Sequence, residues 1–322
     1  MIRKVDIISG FLGAGKTRFI KKLINDGFYS SKIAIVENEF GEVNIDSTIL
    51  KKSNAMIKEI TAGCICCEVT GYFKDALLEL INKYDLDTIV IEPTGIAQLS
   101  EIMKTFDDPD IKKICTIDNL ITIVDCLKFN VYMNNFKRFY TDQIKNAEIV
   151  VLSRTQLDDD KNIKSVKERI MKINPKAKII DCNWDNVNMK DVMDKHLIMK
   201  ENRNYILTDD LSKIKISRDI KINTNKLTLK KSNDSFQSFT LNMNRRISAD
   251  ELSSKFKFII SNNNFGTVIR AKGIVQLLNG QCGQFDFSLD EYNIENIDYN
   301  DQNIISFIGV NLNKKELEHF FK

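Results

Sequence analysis

Two apolar rhythms alternate along the first half of the chain. Short runs at 4–9 (KVDIIS), 32–36 (KIAIV), 87–91 (DTIVI), 120–124 (LITIV), 148–152 (EIVVL) and 178–181 (KIID) are dense in Ile and Val and read as buried strands. Between them, apolar residues recur every three or four positions at 16–26, 71–84, 96–106, 135–146 and 163–173, the spacing of amphipathic helices. Strands that are apolar throughout, separated by helices, predict an α/β domain with a mostly parallel sheet covered on both faces. From 196 to 234 the pattern dissolves into polar, irregular sequence, with a short strand predicted at 213–216. It restarts with strands at 235–243, 267–277, 283–289 and 303–310 and helices at 249–260 and 314–321, a smaller α+β domain. The predicted organisation is therefore 1–195, a connection at 196–234, and 235–322.

In a parallel sheet, ligands collect beyond the carboxyl ends of the strands. The first such end carries Gly10-Phe11-Leu12-Gly13-Ala14-Gly15-Lys16-Thr17, which fits the phosphate-cradling pattern G-x-x-x-x-G-K-[ST] between a strand and a helix. Backbone N–H groups of Gly13, Ala14 and Gly15 are expected to converge on a phosphate at the helix N-terminus, with Arg18 next in line. Lys16 reaches the outer phosphates, and Thr17 offers a hydroxyl to Mg²⁺. Glu92 ends an apolar strand and leads into Pro93-Thr94-Gly95. Its carboxylate is placed to order Mg²⁺ through a water, or to position an attacking water, while the Gly95 N–H approaches the terminal phosphate. Ser153-Arg154-Thr155-Gln156 follows the strand at 148–152 and is the expected base-reading loop.

Composition narrows the partners. The 322 residues carry 47 Lys and Arg against 44 Asp and Glu, a net charge of +3, which argues against nucleic acid or an anionic membrane as the main partner. No apolar run approaches the ~18 residues of a membrane span, and the opening residues lack the apolar stretch of a signal peptide. Seven cysteines are an odd number, and three crowd into Cys64-Ile65-Cys66-Cys67. Free or metal-bound thiols in a reducing cytoplasm fit that pattern better than disulfides. In an extended segment Cys64 and Cys66 share a side, so two thiolates can grip a borderline-soft ion such as zinc or cobalt. A closed site wants four ligands, and Glu37, Glu39 and Glu42 are candidates for the remainder. Such a mixed set suits binding and release better than storage. Cys115, Cys126, Cys182 and Cys282 are isolated and read as core, and Trp184 as packing. His196 and His319 read as structural, with His319 able to add a ligand if the second domain folds over the site. Arg270 and Lys272 read either as a solvated strand face or as contacts to a phosphate or an acidic partner.

Together these residues resemble the CobW-like metallochaperone GTPases, relatives of the nickel-insertion GTPases. The likeness rests on residues 10–17, on 37–46 (ENEFGEVNID), on 63–67 (GCICC), on 92–95 (EPTG) and, more weakly, on 270–273 (RAKG). It implies a GTPase domain with a smaller C-terminal domain. It also implies a zinc or cobalt ion held by Cys64, Cys66 and Cys67 and handed to a client metalloprotein. By the same resemblance Thr17 and Glu92 serve Mg²⁺, and 37–46 is the first switch. The chain departs from the family where guanine is read: relatives carry Asn-Lys-x-Asp, and here Ser153-Arg154-Thr155-Gln156 stands instead. An amide offers one acceptor and two donors and cannot repeat the double acceptance of a carboxylate, a loss of ~1–3 kcal/mol in discrimination. The stem of Arg154 can still cover a base. GTP stays first on family grounds, with ATP open.

The function expected is thus a GTP-driven metal carrier with Lys16 and Glu92 in catalytic roles. The alternatives are an NTPase that activates a metal- or corrinoid-dependent enzyme without carrying the ion, a non-hydrolysing zinc-binding regulator, and a small-molecule kinase. The pattern does not decide between a monomer and a homodimer.

Overall fold

A computed structural model describes residues 2–29, 32–38, 56–60, 70–194, 236–288, 291–298 and 301–322. In the first part, β1 (Arg3–Gly10), β2 (Ile33–Asn38), β3 (Met56–Ile60), β4 (Thr88–Glu92), β5 (Cys115–Asp125), β6 (Ile149–Ser153) and β7 (Lys178–Ile180) form one seven-stranded sheet in the order β3-β2-β4-β1-β5-β6-β7. Every neighbouring pair is parallel. β1 sits at the centre because its last six residues are all buried, which requires cover on both faces. The covering helices are α1 (Lys16–Asn25), α2 (Thr70–Lys83), α3 (Leu99–Thr105), α4 (Pro109–Lys112), α5 (Phe129–Asn135), α6 (Lys137–Lys145) and α7 (Asp160–Ile173).

The second part is antiparallel. β8 (Phe236–Asn242), β9 (Thr267–Gln276), β10 (Cys282–Ser288), β11 (Glu291–Ile297) and β12 (Ile304–Val310) pair in the order β11-β10-β9-β12-β8. α8 (Ala249–Ile260) and α9 (Lys314–Phe321) cover one face, where Leu252, Phe256, Leu317 and Phe321 pack on Phe285, Phe287 and Phe307. The other face joins the first sheet's core: Ile269 and Ile308 pack into the cluster of Phe11, Phe129, Tyr132 and Tyr140. Phe236 adds ring contacts to Phe11, Phe136 and Phe139 at 6.4, 5.9 and 4.7 Å. The two sheets therefore share an aromatic core at their seam.

Several boundaries differ from expectation for identifiable reasons. The helix predicted at 135–146 is α6, which begins at Lys137 because Phe136, at φ −131 and ψ 31, leaves the helical region; α5, just before it, was not anticipated. The helix predicted to begin at 96 begins at Leu99, since Gln98 is extended. β5 reaches back to Cys115 through Asp118 and Asn119, polar residues that hid the strand. β3 and β11 were not anticipated; both are edge strands, and their sequences MIKEI and EYNIENI are too polar to stand out. The strand predicted at 213–216 lies outside the described residues. Cys115, Cys126 and Cys282 are buried, as their isolation implied, and burial pushes the Cys115 and Cys126 thiols up to about 11 and 12.

Candidate functional site: a phosphate loop roofed by the second sheet

β1 ends at Gly10, and the chain turns through Gly13 (φ +72) and Gly15 (φ +97) before α1 begins at Lys16. These left-handed conformations favour glycine, and Gly15 as N-cap brings no side chain to the first-turn N–H groups of α1. Donors left uncapped in this way suit an anion. Lys16 is 7% exposed, and its Nζ donates to the Gly10 carbonyl at 3.2 Å, which folds the ammonium over the loop. Thr17 Oγ1 donates to Glu92 Oε1 at 2.8 Å, joining the start of α1 to the end of β4. Glu92 is itself buried.

Gly13, Gly15, Lys16, Thr17, Arg18, Glu92 and Arg154 line one cavity of about 460 Å³. Ala14 does not line it and is buried in the apolar cluster of Phe19, Ile20 and Ile123. Gly95 packs on the loop rather than lining the cavity: a Cβ there would stand 2.6 Å from the Leu12 backbone nitrogen. Its carbonyl, with that of Ala97, accepts from Gln143 Nε2 at 3.0 and 2.9 Å. Gln143 was missed in sequence, where it is one polar residue in an amphipathic helix.

Arg154 takes a left-handed conformation at φ 62 and pairs with buried Asp125, and its Nη2 also donates to the Gly13 carbonyl at 3.3 Å. Asp125 accepts as well from the backbone N–H groups of Leu127 and Lys128 at 3.0 and 3.3 Å. It too was missed, although it ends an apolar strand just as Glu92 does. Ser153 is buried at the end of β6, and its hydroxyl has no hydrogen-bond partner among the described residues. Gln156 stands apart, with Nε2 at 3.5 Å from Asp185 Oδ2, which also takes Arg18 Nη2 at 2.8 Å. Trp184 is packing: it is 5% exposed, its Nε1 donates to the Leu152 carbonyl at 3.1 Å, and Phe19 meets it edge-on at 5.6 Å. Arg18 lies over its ring at 5.2 Å.

The remaining cavity wall comes from the second sheet: Arg270, Asp286, Ser288, Tyr292 and Asn293. Arg270 Nε and Nη2 donate to Asp286 Oδ1 and Oδ2 at 3.0 and 2.7 Å. Lys272 is 2% exposed, so this is no solvated strand face. Burial pushes the Asp286 carboxyl up, but Arg270, with Lys272 and Lys128 behind it, holds it below the ordinary carboxylate range.

Cys64, Cys66, Cys67, Glu39, Glu42 and His196 lie outside the described residues, as does the side chain of Glu37 at the end of β2. Among the described residues no three His, Cys, Asp or Glu side chains form a metal-holding group, so His319 has no co-ligands there. No helix among them is long and apolar enough to cross a membrane.

The sequence profile described as the CobW/HypB/UreG nucleotide-binding domain matches residues 4–181, more than half of the chain. The zinc chaperone YjiA of Escherichia coli is 32% identical over 193 residues, covering 58% of this chain and 59% of YjiA. The zinc-regulated GTPase metalloprotein activator 1 of Schizosaccharomyces pombe is 29% identical over 207 residues, covering 62% of this chain and 50% of the relative. The matches thus span about half to three-fifths of the length of these relatives. Zn(II)-bound YjiA GTPase from Escherichia coli superposes with a TM-score of 0.45 at 20% identity, covering 100% of this chain and 98% of that one.

Proposed function

The chain belongs to the CobW/HypB/UreG family, and on that footing we propose that it is a GTP-hydrolysing metallochaperone. It binds zinc or cobalt at Cys64, Cys66 and Cys67 and delivers the ion to a client metalloprotein under nucleotide control. The observation that carries the reading is the 2.8 Å contact of Thr17 with Glu92 in the cavity that also holds Lys16. Two oxygen donors meeting beside a phosphate loop are the hard ligands Mg²⁺ takes along with its waters. Bound there, Mg²⁺ would supply charge neutralisation for the phosphates. Lys16 holds the outer phosphates, Thr17 and Glu92 hold the cation, and Glu92 also orients a water. The uncapped N-terminus of α1 takes the inner phosphates.

Topology supports a link between nucleotide and metal. Glu92 on β4 is in register with Glu37 on β2, and Glu37 with Glu59 on β3. The chain leaves β3 one residue later, at Ile60, for the segment with the three cysteines. That exit is two strand spacings, about 10 Å, from the end of β4. Nucleotide that orders the ends of β2 and β4 therefore acts on neighbours of the metal segment. A coupling of ~1–3 kcal/mol would change metal affinity by roughly five- to 150-fold. The names of the relatives, a zinc chaperone and a metalloprotein activator, support a transition metal and a metal-dependent client.

The test is zinc and cobalt affinity with and without a nonhydrolysable triphosphate. The expected result is a shift of at least about fivefold, and equal affinities remove the switch. GTP and ATP titrated side by side decide the base, since Gln156 stands where a carboxylate reads guanine in relatives. Cys66→Ser separates carrier from activator: metal binding lost while client activation survives makes the protein an activator that does not carry the ion.

A further inference from the structure

The roof over the phosphate loop is built by a hairpin. β9 and β10 pair so that Asp286 stands opposite Lys272, and Ser288 opposite Arg270. Arg270 shares the cavity with Lys16 and Thr17 while its Nε/Nη2 edge is committed to Asp286. Ser288 comes closer still. Its hydroxyl lies 3.0 Å from where a Cβ on Gly13 would stand, so the roof rests directly on the loop. That hydroxyl has no hydrogen-bond partner among the described residues, although Ser288 is only 5% exposed. A buried hydroxyl left in this way is costly, and one facing an anion-binding loop is satisfied by an anion's oxygen.

Asp286, by contrast, has cations to spare. Arg270, Lys272 and Lys128 all act on it, and Lys128 Nζ also donates to the Ser288 carbonyl at 3.2 Å. When Arg270 turns away, two ammonium groups remain to compensate the carboxylate, so its departure strands no buried charge. A side chain with two partners available at similar cost is a two-position element. Guanidinium is the group best matched to either one, since it bridges carboxylate and phosphate oxygens alike.

We propose that the second sheet completes the nucleotide site in cis: Arg270 turns from Asp286 to the terminal phosphate of a bound triphosphate, and Ser288 donates to a phosphate oxygen. Loss of that phosphate returns Arg270 to Asp286, so the second sheet reads which nucleotide is bound. This rests on the nucleotide reading of residues 10–17 given above.

The experiment measures equilibrium affinity of the full chain for fluorescent GDP and for a nonhydrolysable GTP analogue, with Mg²⁺ present. It compares wild type, Lys16→Ala, Arg270→Ala, Arg270→Lys and Asp286→Asn. Arg270→Ala should weaken the triphosphate by about 10- to 100-fold, the range of a hydrogen bond to a charged group, and the diphosphate by less than about threefold. Arg270→Lys keeps the charge and should lie between. Asp286→Asn loosens the resting partner and should tighten the triphosphate relative to the diphosphate; together with Arg270→Lys it keeps the test valid if Arg270→Ala does not fold. A cross-strand ion pair with no role beyond stability would shift both nucleotides by one factor or neither, and that result overturns the proposal. Nucleotide binding that is lost in Lys16→Ala while the Arg270 variants match wild type sinks this inference alone. A wild type that binds neither nucleotide sinks the underlying reading with it.

Discussion

Gly95→Ala tests how tightly the turn after β4 is set against the phosphate loop. A methyl group on Gly95 would meet the Leu12 nitrogen at 2.6 Å, its Cα at 2.8 Å and its Cδ2 at 2.9 Å. The Leu12 side chain can rotate, but its backbone cannot yield easily, because Tyr132 Oη donates to the Leu12 carbonyl at 3.0 Å and Phe11 is locked among aromatic rings. Ordinary contact begins at 3.4 Å, so the turn must retreat by about 0.8 Å against the two Gln143 hydrogen bonds that hold it. Overpacking of this kind costs ~1–3 kcal/mol. A displacement approaching 1 Å also moves Glu92 away from Thr17, and misplacement on that scale is worth up to about 100-fold in rate. In urea melts the variant should lose ~1–3 kcal/mol. Phosphate release at saturating GTP should fall by about 10- to 100-fold, while diphosphate affinity, set by residues 13–17, changes little. Wild-type stability together with wild-type turnover would refute the close-packing argument.

Substitutions at two further positions probe buried charge. Burial pushes the Asp6 carboxyl from 3.8 up to about 6, against the downward pull of its bonds from Asn119 and Tyr29. A folded pKa above the unfolded one means stability that is complete below about pH 4 and lost as pH rises through about 6, a loss of ~3 kcal/mol. Asp6→Asn should therefore gain roughly that much on wild type between about pH 4 and pH 7.5 in urea melts, and a difference independent of pH would refute it. Arg154→Ala removes a side-chain partner of Asp125, which is 0% exposed, and should cost ~1.5–3 kcal/mol, the range of a hydrogen bond to a charged group. Arg154→Lys should cost less, and a loss below about 1 kcal/mol in Arg154→Ala would refute the pairing's weight.

What was legible in the sequence follows from where each element sits. β1, β4, β5 and β6 are inner strands buried on both faces, so their apolar runs are continuous, and the glycines of residues 10–17 are a local requirement of one turn. β3 and β11 were invisible because an edge strand needs only one apolar face and favours polar residues that discourage further pairing. Asp125 and Gln143 were missed for a different reason. Each is a single polar residue whose importance comes from a tertiary partner, Arg154 in one case and the Gly95 carbonyl in the other.

The second sheet's share of the site was the least legible part, and the cause is geometric. Arg270 and Lys272 have the spacing of an exposed strand face, and nothing local says otherwise. Their meaning depends on two non-local facts. One is the hairpin register that sets Asp286 opposite Lys272. The other is the packing of Ile269 and Ile308 into the cluster of Phe129 and Tyr132, which brings β9 and β10 down onto Gly13. Apolar residues at the seam therefore control a polar site they never touch. A change at Ile269 or Ile308 that loosens the seam lifts Arg270 and Ser288 from the phosphate loop together, whereas a change at Arg270 leaves the roof in place and removes one charge. The two kinds of perturbation separate what the second sheet does by position from what it does by chemistry.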